Sequence, residues 1–140
     1  MNNCRAVFLL ISMCIGVVAH AESVKRIDVF VDSALDINES ANLHVWDLSL
    51  PEKTKAHYLP AHFSADPQAA KQQLISFMNS PQGNEFKQAM KDSYAGFVEM
   101  TKLRVQKTPA IVINQKFVIY GTTDVDAALN DYRLYTSSRN

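Results

Sequence analysis

The stretch TPAIVINQKFVIYGTTDVDAAL, Thr108 to Leu129, decides the fold. Ala110–Ile113 and Phe117–Tyr120 are short β-branched and aromatic runs of strand length. Asn114 and Gln115 between them suit a two-residue hairpin, although Gln is a poor second turn residue compared with Gly. Gly121 ends the pairing, since it takes backbone angles closed to other residues. Thr123 is placed to cap the next helix, with Asp126 three residues on in a capping-box position. Val125, Ala128, Leu129 and Tyr132 recur at helical spacing, so that helix has one apolar face.

Working outward, Val24–Val31 reads as a strand buried on both sides, because Ile27, Val29 and Val31 alternate with apolar Phe30. Leu43 and Val45 on one side, with Trp46 and Leu48 on the other, predict a second two-sided strand. Leu50–Ala65 carries two prolines and two histidines and is expected to be a surface connection. Asp66-Pro67 opens a helix, Asp as N-cap and Pro at the first helical position, with Ala70, Leu74, Phe77 and Met78 as its buried stripe. Pro81 and Gly83 interrupt it. A long helix is expected from about Asn84 to Arg104, burying Phe86, Met90, Tyr94, Phe97 and Met100, with Gly96 allowing close packing on the sheet.

The beginning of the chain reads as an address. Arg5, the apolar run Ala6–Ala19 and the small-x-small pattern Ala19-His20-Ala21 predict a cleaved signal peptide over residues 1–21. The apolar run is too short for a durable membrane anchor, which needs roughly 20 residues, so no stable membrane insertion is expected after cleavage. Met13 before Cys14 is bulky where a lipid-attachment site carries a small residue. Cleavage leaves residues 22–140 as one domain in the periplasm, and removes both cysteines of the chain, Cys4 and Cys14. Arg5 is the only charged side chain removed from a chain with 14 basic and 14 acidic residues, so the remainder carries a net charge of −1. That balance gives no electrostatic case for a nucleic acid partner.

Thr-Pro, antiparallel hairpin, glycine and closing helix together resemble the C-terminal half of a thioredoxin-like domain. Within that superfamily, TPA followed by YGTTDVDAAL is similar to the small periplasmic proteins of integrating conjugative elements, relatives of the TrbC-like pilus assembly proteins. The resemblance covers about Glu22 to Tyr135 and is specific from Lys107 to Leu129. It implies an α/β fold with a central mixed sheet of about four strands flanked by helices, the first two strands running parallel. It also implies a cis Thr108–Pro109 bond facing the loop after the first strand, with Thr108, Pro109, Ser33 and Ala34 as candidate partner-binding positions. Tyr120, Gly121, Thr123 and Asp124 correspond to the family's motif after the last strand, and their local structural roles account for it.

Redox members of the superfamily carry Cys-x-x-Cys where this chain has Asp32-Ser33-Ala34-Leu35. Disulfide exchange proceeds by thiolate attack, which serine cannot supply, and Ser33 has no evident general base for hydrolysis. No catalytic residue is assigned. His57 and His62 lack the helical i, i+4 spacing of a metal pair, and His44 alternates with apolar neighbours on a strand. No metal or cofactor is expected. The function implied is a non-catalytic component of a conjugative type IV secretion or pilus assembly machinery, whose partners are other periplasmic conjugation proteins. A chaperone holding extended peptides beside Pro109 is the alternative, and a thiol-disulfide oxidoreductase is disfavoured by the missing cysteines.

Overall fold

The computed structural model describes residues 23–33 and 42–138. The expected signal peptide, Ala34 and Leu35 therefore lie outside the described residues. Four strands, β1 (Ile27–Val31), β2 (Leu43–Asp47), β3 (Ala110–Ile113) and β4 (Phe117–Tyr120), form one mixed sheet in the order β2-β1-β3-β4. As expected, β1 and β2 run parallel; β3 pairs antiparallel with β1, and β4 antiparallel with β3. Among the described residues there are five helices: α1 (Leu50–Tyr58), α2 (Pro67–Met78), α3 (Pro81–Ser93), α4 (Ala95–Lys102) and α5 (Val125–Ser137). None is long and apolar enough to cross a membrane.

Strand alternation divides the core between the two faces of the sheet. Ile27, Val29, Val31, Ile111 and Ile113 point to one side, where Ala128 and Tyr132 of α5 close over them. Phe30, Ala110 and Val112 point to the other, against Leu48, Val105 and the half-buried Trp46 and Met100. Central β1 is buried along its whole length. Gly96 lets α4 approach that second face: a Cβ there would lie 3.0 Å from Leu48 Cδ2 and 3.4 Å from Trp46 Cβ.

Several expectations are corrected. The segment from Leu50 is not a connection throughout, since α1 occupies it to Tyr58. Pro51 lies in its first turn, where a missing N–H costs nothing, and Asp47 holds its start. One Asp47 carboxylate oxygen accepts from Ser49 N at 2.8 Å and from the Ser49 hydroxyl, and the other from Lys53 Nζ at 2.7 Å. Burial opposes this carboxylate's charge, but the hydrogen bonds from Lys53 and Ser49 outweigh it and hold its pKa below the ordinary aspartate value. The stabilisation is therefore complete above the unfolded aspartate pKa of about 4 and is lost as pH falls through the lower folded value. Asp47→Asn should lower the urea midpoint at neutral pH, and the gap from wild type should close on acidification below that range. A gap independent of pH would refute this role.

The single long helix is in fact two. α2 does stop ahead of Pro81, but Pro81 itself opens α3, before the expected start at Asn84, with the Ser80 hydroxyl accepting from Gly83 N at 3.0 Å as its cap. The axis breaks at Tyr94, where α3, packed on α1, gives way to α4, packed on the sheet. One straight helix would not serve both surfaces. Tyr94 (44 %) and Phe97 (39 %) are consequently exposed rather than buried. The expected stripe of α2 is also shallower than predicted: Leu74 is exposed and no residue of that helix is fully buried. Phe77 instead contributes to an aromatic cluster, with Phe86 5.7 Å from it and 5.8 Å from Tyr58, that joins α1, α2 and α3.

Candidate functional site

Thr108 and Pro109 sit where the chain enters β3, joined by a cis bond as the sequence suggested. The approach to them is set by the end of α4. Arg104 adopts a left-handed conformation (φ 55°), and Val105 N donates to Met100 O at 3.0 Å and Arg104 N to Thr101 O at 3.2 Å. This pair of bonds closes a helix C-terminus in the Schellman manner, here with arginine where glycine is usual. Beyond it, the Thr108 hydroxyl donates to the Asp32 carboxylate, which follows β1 directly. The β1–β3 register pairs Phe30 with Ala110, so its continuation sets Thr108 across from Asp32. Thr108 and Pro109 are half-buried, while Asp32 and Ser33 are exposed. The structure thus brings together Asp32, Thr108 and Pro109, with Ser33 at the rim; Ala34 falls outside the described residues.

The other side of Pro109 is framed by the end of β4. Gly121 N donates to Pro109 O at 2.8 Å. Gly121 has φ +81°, and a Cβ there would meet nothing within 4 Å, so backbone conformation rather than space calls for glycine. Tyr120 accepts from Gln106 N at its hydroxyl, 3.3 Å away, and Lys107 Nζ stands 5.2 Å over its ring. Thr123 is not the helix cap. Asp124 is, accepting from Ala127 N at 3.0 Å, while Thr122 Oγ1 accepts from Asp124 N at 3.0 Å. Thr and Asp both serve as caps, and the one-residue offset puts Asp126 in the first turn, where a negative charge suits the helix dipole.

The hairpin is also longer than expected. Ile113 pairs with Phe117, leaving Asn114, Gln115 and Lys116 in the loop, with φ of 52° at Asn114 and 60° at Gln115. Asn114 also carries a second duty. Its Oδ1 accepts from Lys25 N (2.7 Å) and Arg26 N (3.3 Å), and its Nδ2 donates to Ser23 O (3.0 Å) and to the Tyr132 hydroxyl (3.1 Å).

A polar network escaped the sequence reading altogether. Asp28, 0 % exposed on central β1, takes a bidentate pair from Arg26: Nε to Oδ2 and Nη2 to Oδ1, each 2.7 Å. Trp46 Nε1 donates to Oδ1 at 2.9 Å. Arg26 Nη2 also reaches Glu99 Oε1 at 2.9 Å, and Lys102 Nζ lies 3.1 Å from Glu99 Oε2. The hydrogen bond from Arg26 to Asp28, helped by the charges of Asp28 and Glu99, outweighs burial and raises the pKa of Arg26 further. Every buried polar atom in this network is satisfied. It fastens α4 to the sheet. The one available signal was Asp28 itself, a carboxylate inside a run otherwise apolar.

The histidines are dispersed. His57 is on α1, edge-on to Tyr58 at 4.9 Å. His62 lines an open concavity of about 460 Å³ with Tyr58, Phe63 and Phe77. His44 lies on β2, 6.4 Å from the Trp46 ring. Among the described residues no three His, Cys, Asp or Glu side chains converge as a metal site.

A four-stranded mixed sheet with helices on both faces, and an exposed polar contact where β1 ends and β3 begins, defines an α/β protein with one candidate site at a strand terminus. The chain belongs to the family described as "Protein of unknown function (DUF1525)", whose model matches residues 24–138. No curated protein and no solved structure matches it.

Proposed function

We propose that this chain is a thioredoxin-like docking module without redox chemistry. It acts in the periplasm within the type IV secretion or pilus assembly machinery of an integrating conjugative element. The observation that carries the reading is the hydrogen bond from the Thr108 hydroxyl to Asp32. It places the approach to β3 beside the residues that follow β1, the position from which thioredoxin-like proteins engage extended chains. The sheet order β2-β1-β3-β4, with one parallel and two antiparallel pairings, supports the fold half of the reading. Asp32-Ser33 in place of a thiol, and no cysteine after Cys14, support docking over disulfide exchange.

Deleting the gene from a donor cell should abolish transfer of the element, and the wild-type gene should restore it. Unchanged transfer would overturn the reading. Thr108→Val separates a docking role from a structural one. Loss of this exposed hydrogen bond should cost no more than about 0.5–1.5 kcal/mol of stability, yet the variant should fail to restore transfer. The purified protein should also leave insulin disulfides intact; turnover above a buffer control, from material free of host oxidoreductases, would restore the enzymatic alternative.

A further inference from the structure

Among the described residues, no strand covers the outer edge of β4. Gly121 N bonds to Pro109 O, and the β3–β4 register pairs Ile111 with Ile119 and Ile113 with Phe117. Antiparallel ladders alternate bonded and non-bonded pairs, so Phe117 and Ile119 aim their backbone groups at β3. Val118 and Tyr120 therefore turn their N–H and C=O groups away from the sheet, where no backbone bond from the described residues reaches them. Edge strands in monomers are commonly blunted by shortness, a charge, a proline or a bulge, and of these β4 has only its length of four residues. Phe117–Tyr120 contains no charge or proline, and its register with β3 is continuous.

We infer that β4 pairs antiparallel with β4 of a second copy about a two-fold axis at Ile119, joining the two sheets into one. In that arrangement Val118 of each copy faces Tyr120 of the other, and each such pair exchanges two N–H···O bonds. The outward groups of the strand are thus used on both copies, as an isologous contact requires. Charge selects the same direction. Lys116 precedes the strand and Asp124 follows it, so antiparallel pairing lays Lys116 of one copy beside Thr122–Asp124 of the other. Parallel pairing would set Lys116 against Lys116. Apolar surface continues past the edge through Tyr135, 5.0 Å from Phe117 and 44 % exposed. A contact of one short strand and its flanks falls among small interfaces, which are weak and reversible.

The test is sedimentation of the purified protein across the micromolar range, together with two variants. The expected result is a concentration-dependent monomer–dimer equilibrium. Val118→Pro removes one outward N–H without touching the β3 ladder, a position where an edge strand tolerates proline; with an unchanged circular dichroism spectrum it should remain monomeric. Ile119→Cys, in a background with Cys4 and Cys14 changed to Ser, would bring the two sulfurs together at the axis. Cα atoms of a non-bonded antiparallel pair lie about 4.5 Å apart, within disulfide range. It should cross-link on oxidation far faster than Gln115→Cys in the hairpin loop. This measurement stands even if Val118→Pro fails to fold. A monomer throughout the range, or Ile119→Cys cross-linking no faster than Gln115→Cys, would overturn the inference. So would a dimer unaffected by a folded Val118→Pro, or a monomer whose β4 edge takes a strand of a different protein. None of these outcomes depends on conjugative transfer.

Discussion

Replacing Asp28 with alanine is expected to cost about 3 kcal/mol of folding stability. Breaking one partner out of a buried ion pair costs about 3–5 kcal/mol, because the other is left without its counter-charge. Here the remaining partner is not abandoned completely: Arg26 keeps Glu99 at 2.9 Å, and its side chain is 31 % exposed. That moves the expected loss to the lower end of the range. The Trp46 indole N–H loses its acceptor in the same step. Stabilities of such domains lie between about 5 and 15 kcal/mol, so the variant should fold with a much reduced urea midpoint. Trp46 is the only tryptophan of the chain, so its fluorescence reports on the site directly during unfolding. Asp28→Asn, which keeps the shape and one acceptor, should fall between the two. A loss under about 1 kcal/mol for Asp28→Ala would show that the network is a surface ornament, of the kind exposed ion pairs often are.

Gly83→Ala should be nearly as damaging, through sterics alone. A Cβ on Gly83 would stand 2.1 Å from Phe77 O and 2.8 Å from Met78 Cα, both backbone atoms at the end of α2. No side-chain rotation relieves that overlap, so α2 and α3 must move apart and disturb the Phe77–Phe86 contact. Overpacking of this kind costs about 1–3 kcal/mol, and occasionally more. In an isolated helix the same change would gain close to 1 kcal/mol, so the sign of the effect is itself diagnostic. Thermal melts that leave the midpoint unchanged or raise it would refute the close approach.

What was legible in the sequence was what depends on neighbours along the chain. The strands announced themselves through alternation in Ile27–Val31 and through the β-branched runs on either side of Asn114. Asp66-Pro67 marked the start of α2, and the Asp66 carboxylate does accept from Gln68 N at 2.9 Å. The errors arose where a local signal had two meanings. Pro51 and Pro81 were read as breakers, yet each lies in a helix's first turn, the one place where proline is welcome. Thr123 and Asp124 are both cap formers, and only the backbone geometry chooses between them. Of the candidate site, Thr108-Pro109 and the loop after β1 were legible from the pattern. The Asp28 network was not, because its partners Trp46 and Glu99 arrive from elements 18 residues after Asp28 and 73 residues after Arg26. Nor was the Asn114 amide's hold on the Ser23–Arg26 segment, which spans 88 to 91 residues.

The place of β1 in the chain has a consequence for how the domain is born. The strand at the middle of the sheet is the first to be synthesised, and its antiparallel neighbour β3 begins only at Ala110. Contacts so distant in sequence close slowly, since the entropy of the intervening loop must be overcome before they can form. A chain emerging from its N-terminus therefore presents β1 with one bare edge until β3 has appeared, after four of the five described helices. In that interval the apolar stretch Ile27–Val31 is open to aggregation or to any holding factor that recognises extended chain. Completion waits on the arrival of Ile111, Ile113 and Tyr132, so folding ends at the C-terminus although its core was laid down first.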